Sequence, residues 1–318
     1  VPERICIIGC GAIGSLYAAH LARVAEVYAL VRRPEHAAAI KRDGLRVSGK
    51  RDFTAHPFAT TRTEEIPQCN VGIVCSKATQ TREAVGPVAH HFRNGTVLSA
   101  QNGLGCEEII AELVKAPIIR GTTFMSGSRR SDTQVEMELD TATWMGPFEA
   151  THTPFASAKA LAELMIASGL KAVALEDARP AQWSKVIFNS SVNAVAALAE
   201  LPHCLEFAEE DRFQDLGHVL HALVDEGKRV AEALGIRLYE DPWEMNKVGA
   251  RTNHPPSMLY DMKHHLPSEA DFLGGAIARE AAKIGVSAPL HSALYRLIKA
   301  KEASWTWRPP DEKRREAR

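Results

Sequence analysis

The ten residues Ile5–Gly14, ICIIGCGAIG, constrain this chain more than any other stretch of it. An apolar, strand-like run leads into Gly9, Gly11 and Gly14 at G-x-G-x-x-G spacing, and an alanine-rich helical run, SLYAAHLA, follows. Glycines at this spacing recur by chance, but between a strand and a helix they specify a phosphate-holding turn. Gly9 permits the tight turn, Gly11 lets the backbone approach a pyrophosphate, and Gly14 lets the helix pack against the strand. The first helical turn then offers N–H groups to the anion. Gly9, Cys10, Gly11, Ala12, Ile13 and Gly14 are therefore the expected cofactor cradle. The competing reading is a glycine-rich turn with no ligand, and the flanking strand and helix weigh against it.

The pattern continues in alternation. Candidate strands are Arg4–Ile8, Glu26–Leu30, Val71–Cys75, Val97–Ala100 and Ile118–Thr122, with helical segments at 12–23, 34–42, 79–91 and 105–115. Such alternation predicts an α/β fold with a parallel sheet covered by helices on both faces. After Thr133, QVEMEL and ATWMG read as two further strands of antiparallel character. A helix over 154–168 and a short strand at 171–175 follow. From Pro180 helical periodicity dominates as far as Ser304, and proline suits a first helical turn. The expected organisation is a dinucleotide-binding domain over 1–178, a helical domain over 179–305 and a loose, charged tail over 306–318.

Composition excludes several classes of partner. The 318 residues carry a net charge of −1, so no global field draws the chain to nucleic acid or an anionic membrane. No apolar run approaches the roughly 20 residues that span a bilayer, and no leader is expected ahead of the first strand. The six cysteines are scattered without a C-x-x-C pair, which suits small core residues in a reducing, cytoplasmic compartment and neither a disulfide framework nor a metal site. His90-His91, His218/His221 and His264-His265 lack completing ligands and read as surface or packing residues. The run DLGHVLHALVDEGKRVAEALG is amphipathic and suits core packing or a subunit interface. A monomer or a homodimer is expected.

The carboxyl ends of the strands are where ligands of an open parallel sheet bind. An NAD-binding chain places an acidic residue roughly 20 positions after the glycines. Here the second strand, EVYALVRR, has Glu26 at its start and Arg32 and Arg33 at its carboxyl end. A guanidinium pairs with a 2′-phosphate that a carboxylate would repel, so the cofactor read from this strand is NADP, with Arg32 its contact; ordinary solvated arginines are the alternative. Two further strand ends carry Lys77 and the pair Gln101-Asn102. Lys77 could meet charge on cofactor or substrate, and Asn102 could bond ribose or substrate. Taken singly they are a surface lysine and an Asn-Gly turn; their shared position with the glycine loop tips the balance to function.

The second half holds one anomaly, WSKVIFNSSVN over 183–193. Steps of four advance about 40° around a helix, so Lys185, Asn189 and Asn193 stack on one face of a helix that is otherwise apolar. A buried lysine without a partner is rare. The stripe is either a snorkelling lysine with two satisfied asparagines or the floor of a wet, functional cavity.

With these stretches in view, the chain resembles the ketopantoate reductases (2-dehydropantoate 2-reductases). The likeness covers about residues 3–303 and rests on GCGAIG, SKATQ, QNGLG, WSKVIFNSSVN, PPSMLYDM and SEADFLGG in order. It implies a Rossmann-type domain followed by an all-α domain, with the active site in the cleft between them. It further implies Lys185 as general acid, with Glu269 in support. Asn189, Asn193 and Ser257 would bind substrate, Lys77 and Asn102 would stand near nicotinamide and ribose, and Arg32 would meet the 2′-phosphate. The sequence departs from the family pattern in three places. His254 stands where many members have Asn, Gly274-Gly275 replaces Asn-Gly, and the middle segment lacks a glycine-rich hairpin. The reaction implied is NADPH-dependent reduction of a 2-oxoacid, with ketopantoate to pantoate in pantothenate biosynthesis as the default. The alternatives are a paralogue acting on another oxo acid or an imine, and a non-catalytic NADP-binding sensor. A partly desolvated Lys185 has a lowered pKa, which eases proton donation, while Glu269 opposes that shift or binds a substrate hydroxyl.

Overall fold

The computed structural model describes residues 3–209 and 214–308. Its chain divides into two units, 1–182 and 183–318. Of the expected tail, residues 309–318 lie outside the described residues.

The first unit is built on β1 (Arg4–Ile8). Successive side chains of a strand point to opposite faces, and here both faces are apolar. Ile5 and Ile7 enter one core with Leu16 and Tyr17, while Cys6 and Ile8 enter a second with Val74, Phe92 and Val97. That two-sided burial is what a parallel sheet under helices requires. The unit continues with α1 (Ala12–Leu21), β2 (Glu26–Leu30), α2 (Pro34–Asp43), β3 (Leu45–Gly49), β4 (Phe53–Ala55), β5 (Phe58–Thr60), β6 (Val71–Val74), α3 (Thr81–Val85), β7 (Thr96–Ser99), α4 (Cys106–Leu113), β8 (Ile118–Thr123), β9 (Ser126–Arg129), β10 (Gln134–Leu139), β11 (Thr143–Pro147), α5 (Phe155–Ala167) and β12 (Ala172–Ala174). The large sheet has the strand order β12-β11-β8-β7-β6-β1-β2-β5. From β1 the chain runs outward through β2 to β5, then crosses to β6 on β1's other side. This reversal opens a crevice at the carboxyl ends of β1 and β6, the end from which the glycine loop departs. Pairing is parallel throughout except between β8 and β11.

A second sheet of four strands, β4-β3-β10-β9, takes up part of the middle segment. QVEMEL and ATWMG are both strands with an antiparallel neighbour, as expected, but they lie in different sheets. The first, β10, lies parallel to β3 and antiparallel to β9, and the second, β11, joins the large sheet beside β8. The segment expected to be helical over 79–91 is so, but in two forms: α3 passes into 3-10 turns over Gly86–Phe92, where Pro87 cannot extend an α-helical ladder.

The second unit is organised around α6 (Arg179–Ala199), whose first turn precedes the division at Gln182. Val192, Val195 and Ala196 pack with Phe207, Leu220, Leu223 and Leu259, while Ala194 and Ala197 pack with Met258, Met262, Leu273 and Ile298. A helix buried on two sides must be apolar around most of its circumference, as this one is. The surrounding helices are α7 (Gln214–Ala233), α8 (Pro242–Gly249), α9 (Ser257–Lys263), α10 (Gly274–Lys283) and α11 (Pro289–Ser304). His221 stacks on Trp243, His264 on Tyr260 and His265 on Trp305, so these histidines pack against aromatic rings. No helix among the described residues is long and apolar enough to cross a membrane.

Candidate active site

The glycine loop is shaped by what its glycines do not carry. Gly9 has φ +94°, and a Cβ there would stand 2.8 Å from the backbone nitrogen of Ser76. A Cβ on Gly14 would lie 2.0 Å from the carbonyl oxygen of Gly9, so α1 can approach β1 this closely only with glycine at that position. Gly11, the N-cap of α1, is different: a Cβ there meets nothing within 4 Å. The protein itself does not require glycine at position 11, which is the condition expected where a ligand takes the space. The loop thus fits a pyrophosphate seated against Gly11 and the first-turn N–H groups of Ala12, Ile13 and Gly14.

At the start of β2, Glu26 pairs with Arg4 at 3.1 Å, on the end of the strand away from the glycine loop. Arg33 pairs with Asp132, whereas exposed Arg32 has no ion-pair partner among the described residues. Arg32 is therefore the guanidinium available for a 2′-phosphate. Lys77, half-buried, caps a 3-10 turn after β6. Half-buried Asn102 follows β7 in a loop that glutamines secure. Gln101 donates from Nε2 to the Ser76 carbonyl at 2.9 Å and to Thr81 Oγ1 at 2.8 Å, tying this loop to the one after β6. The sequence treats Gln101 as one more polar group at a strand end; its role as a tie needed the neighbouring loop to be visible.

In the second unit the polar stripe of α6 faces Ser257 and Glu269. Lys185 is half-buried, and burial pushes its ammonium down to about 8, with the Glu269 carboxylate opposing the shift. Glu269 is itself buried, at 9% exposure. Asn193 is committed internally: its Nδ2 donates to the Asn189 carbonyl at 2.9 Å, and its Oδ1 accepts from the Met258 N–H at 3.2 Å and from Ser257 Oγ at 3.3 Å. It fixes the start of α9 and with it the Ser257 hydroxyl. Asn189 is half-buried, and its side-chain amide makes no hydrogen bond among the described residues. The unit thus assembles a cation of lowered pKa, a buried carboxylate, an open amide and an oriented hydroxyl. Ammonium, amide and hydroxyl together can hold a small anion that carries a carbonyl.

The three places where the sequence departs from the family pattern have distinct settings. His254 is exposed, and its carbonyl accepts from the His203 N–H at 3.1 Å. Gly274 borders a small cavity shared with Ser190, Ala194, Met258, Ala270 and His291, and a Cβ there would have no neighbour nearer than 3.8 Å. The middle segment supplies β9 and β10 of the second sheet.

Comparisons with known proteins match most of the chain. The family model "Ketopantoate reductase PanE/ApbA" matches residues 5–150, and its C-terminal counterpart matches 177–302. The 2-dehydropantoate 2-reductase of Pyrococcus horikoshii is 31% identical over 308 residues, covering 94% of this chain and 98% of the relative. Among solved structures, a PanE/ApbA family ketopantoate reductase from Ralstonia eutropha superposes with a TM-score of 0.83 at 24% identity, covering 95% and 99% of the two chains. D-mandelate dehydrogenase, in a ternary structure with NADH and anilino(oxo)acetate, superposes with a TM-score of 0.84 at 26% identity, again covering 95% and 99%. The chain belongs to the ketopantoate reductase family of oxidoreductases.

Proposed function

We propose that the protein reduces a 2-oxoacid to the 2-hydroxy acid with NADPH, and that its substrate is 2-dehydropantoate, giving pantoate for pantothenate synthesis in the cytoplasm. The observation that carries this reading is the half-buried Lys185, lowered to about 8, above a buried Glu269 and beside the open Asn189 amide. When bound, NADPH supplies the hydride that reaches the carbonyl carbon. The chain's own residues supply the rest. Lys185 donates a hydrogen bond from Nζ to the carbonyl oxygen, stabilises the charge that grows there and delivers a proton to it. At pH 7 a lysine titrating near 8 is mostly ammonium yet gives up a proton far more readily than an exposed lysine. Glu269 keeps that ammonium charged. Asn189 and the Ser257 hydroxyl, held by Asn193, bond the carboxylate and hydroxyl of the acid and fix its orientation. The cofactor reading rests on Gly9–Gly14 for the pyrophosphate, on Arg32 for the 2′-phosphate and on Lys77 and Asn102 near nicotinamide and ribose.

A second reading, another 2-oxoacid as substrate, is favoured by Gly274, which leaves room where the family pattern has a side chain, and by the likeness to D-mandelate dehydrogenase. A sensor without turnover would not need Lys185 and Glu269 together. The test is NADPH oxidation followed by absorbance with ketopantoate, for wild type and Lys185→Ala. Turnover lost in the variant supports the reading. NADPH binding without ketopantoate turnover removes that substrate and directs the assay to other 2-oxoacids, aryl ones first.

A further inference from the structure

We propose that Gln182 is a positioning residue for the cofactor-side loop that carries Asn102, a role that rests on the reading of Asn102 as a cofactor contact. Gln182 stands in the first turn of α6 and is 2% exposed. Its Nε2 donates to the Gly103 carbonyl at 3.2 Å and to Glu107 Oε1 at 2.9 Å, and its Oε1 accepts from Arg120 Nη1 at 2.7 Å. The partners are rigidly seated. Glu107 lies in α4 at 1% exposure, and Arg120 projects from β8, bonds Glu149 Oε2 at 3.0 Å and covers the Phe148 ring at 5.2 Å. An amide suits this place because it donates to an acid and accepts from a base at once.

The arrangement is costly. Glu107 Oε2 and Arg120 Nε are buried with no hydrogen-bond partner among the described residues, and burial pushes the Glu107 carboxyl up to about 7 against the pull of Arg120. Apolar side chains would pack this site at lower cost. What the polar set adds is a fixed Gly103 carbonyl, one residue beyond Asn102. On the other side of Asn102, Gln101 is tied to Ser76 and Thr81. Asn102 is therefore bracketed by two glutamine clamps, one made by its own strand and one from a distant helix.

The test is a fluorescence titration of the full chain with NADPH, without substrate, for wild type, Gln182→Met, Asn102→Ala and the double variant. Methionine keeps the length of glutamine and removes both bonding functions. Losing the clamp is expected to weaken NADPH about tenfold, the scale of one or two hydrogen bonds. A residue acting through Asn102 predicts a double variant no weaker than Asn102→Ala. Were Gln182→Met not to fold, Gln182→Glu keeps the Arg120 bond, loses the donor to Gly103 and is expected to weaken NADPH likewise. A variant that binds as wild type while melting earlier, or losses that add in the double variant, would overturn the positioning role. A wild type that binds no NADPH overturns the nucleotide-site reading itself and this proposal with it, an outcome distinct from a variant that merely equals a binding wild type.

Discussion

Ser257 and Asn193, 64 residues apart in sequence, are joined by a hydrogen bond from the serine hydroxyl to the asparagine side-chain oxygen at 3.3 Å. The same oxygen accepts the Met258 N–H, so one side chain of α6 sets both the start of α9 and the direction of a hydroxyl in the candidate site. Asn193→Ala should leave the Met258 N–H unsatisfied and cost about 1–3 kcal/mol of stability. It should raise KM more than it lowers kcat, since it frees Ser257 without touching Lys185. Denaturant melts and initial-rate kinetics on the one variant check both halves.

In the proposed reaction Lys185 is the acid, so activity should require its ammonium form. With a pKa of about 8, kcat should hold at neutral pH and fall as pH rises through that value. Lys185→Ala should lower kcat by roughly 100- to 10,000-fold, the range for a lost general acid. Glu269 holds the lysine's pKa up, so Glu269→Gln should move the alkaline limb to lower pH. A limb that stays in place would mean that the carboxylate does not act through the lysine.

The glycine loop offers a paired test. Gly14→Ala places a Cβ 2.0 Å from a backbone oxygen and should destabilise or unfold the first unit. Gly11→Ala meets nothing within 4 Å and should melt like wild type while losing cofactor affinity. Equal affinity in Gly11→Ala would show that no ligand occupies that space.

If Arg32 meets the 2′-phosphate as proposed, Arg32→Asp should weaken NADPH far more than NADH, because the change removes a cation and sets an anion against that group. Titrating the variant with both cofactors decides it; equal losses would return the cofactor assignment to NAD.

A stability prediction concerns Glu226, at 1% exposure. Burial pushes its carboxyl up, but hydrogen bonds from the His291 ring and from the backbone N–H groups of His291 and Leu290 outweigh this and hold it below the usual carboxylate range. A group lowered in the folded state stabilises above its unfolded pKa, and that stability drains as pH falls through the folded value. Glu226→Ala should therefore cost roughly 1–3 kcal/mol at neutral pH, with the difference from wild type shrinking in acid. Urea melts across pH check the slope.

What the sequence made legible were the features that local spacing encodes. The alternation from β1 to β8, the glycine loop and the three-residue stripe on α6 all follow from local spacing and periods of two and 3.6. The second sheet was not legible. β4 has three residues and β3 five, and β3 pairs with β10 some ninety positions away, so nothing local announces either. The site divides in the same manner. Lys185 and Asn189 can be read as a stripe, whereas the internal commitment of Asn193 and the clamp made by Gln182 depend on partners that α9, α4 and β8 bring from elsewhere. The one available hint for Gln182 was a polar residue three positions before Lys185 at the start of an apolar helix.

The two outermost strands of the large sheet, β5 and β12, each have three residues. An unpaired strand edge is a template on which another polypeptide can add by backbone hydrogen bonding, and the hazard grows with the length of flat edge presented. With the apolar strands β1, β6 and β7 enclosed between neighbours, each margin offers only a short stretch of ladder. The residues that make the sheet cohesive are thereby kept out of reach of intermolecular β-addition, and the same strand order that opens a ligand crevice protects the chain against aggregation.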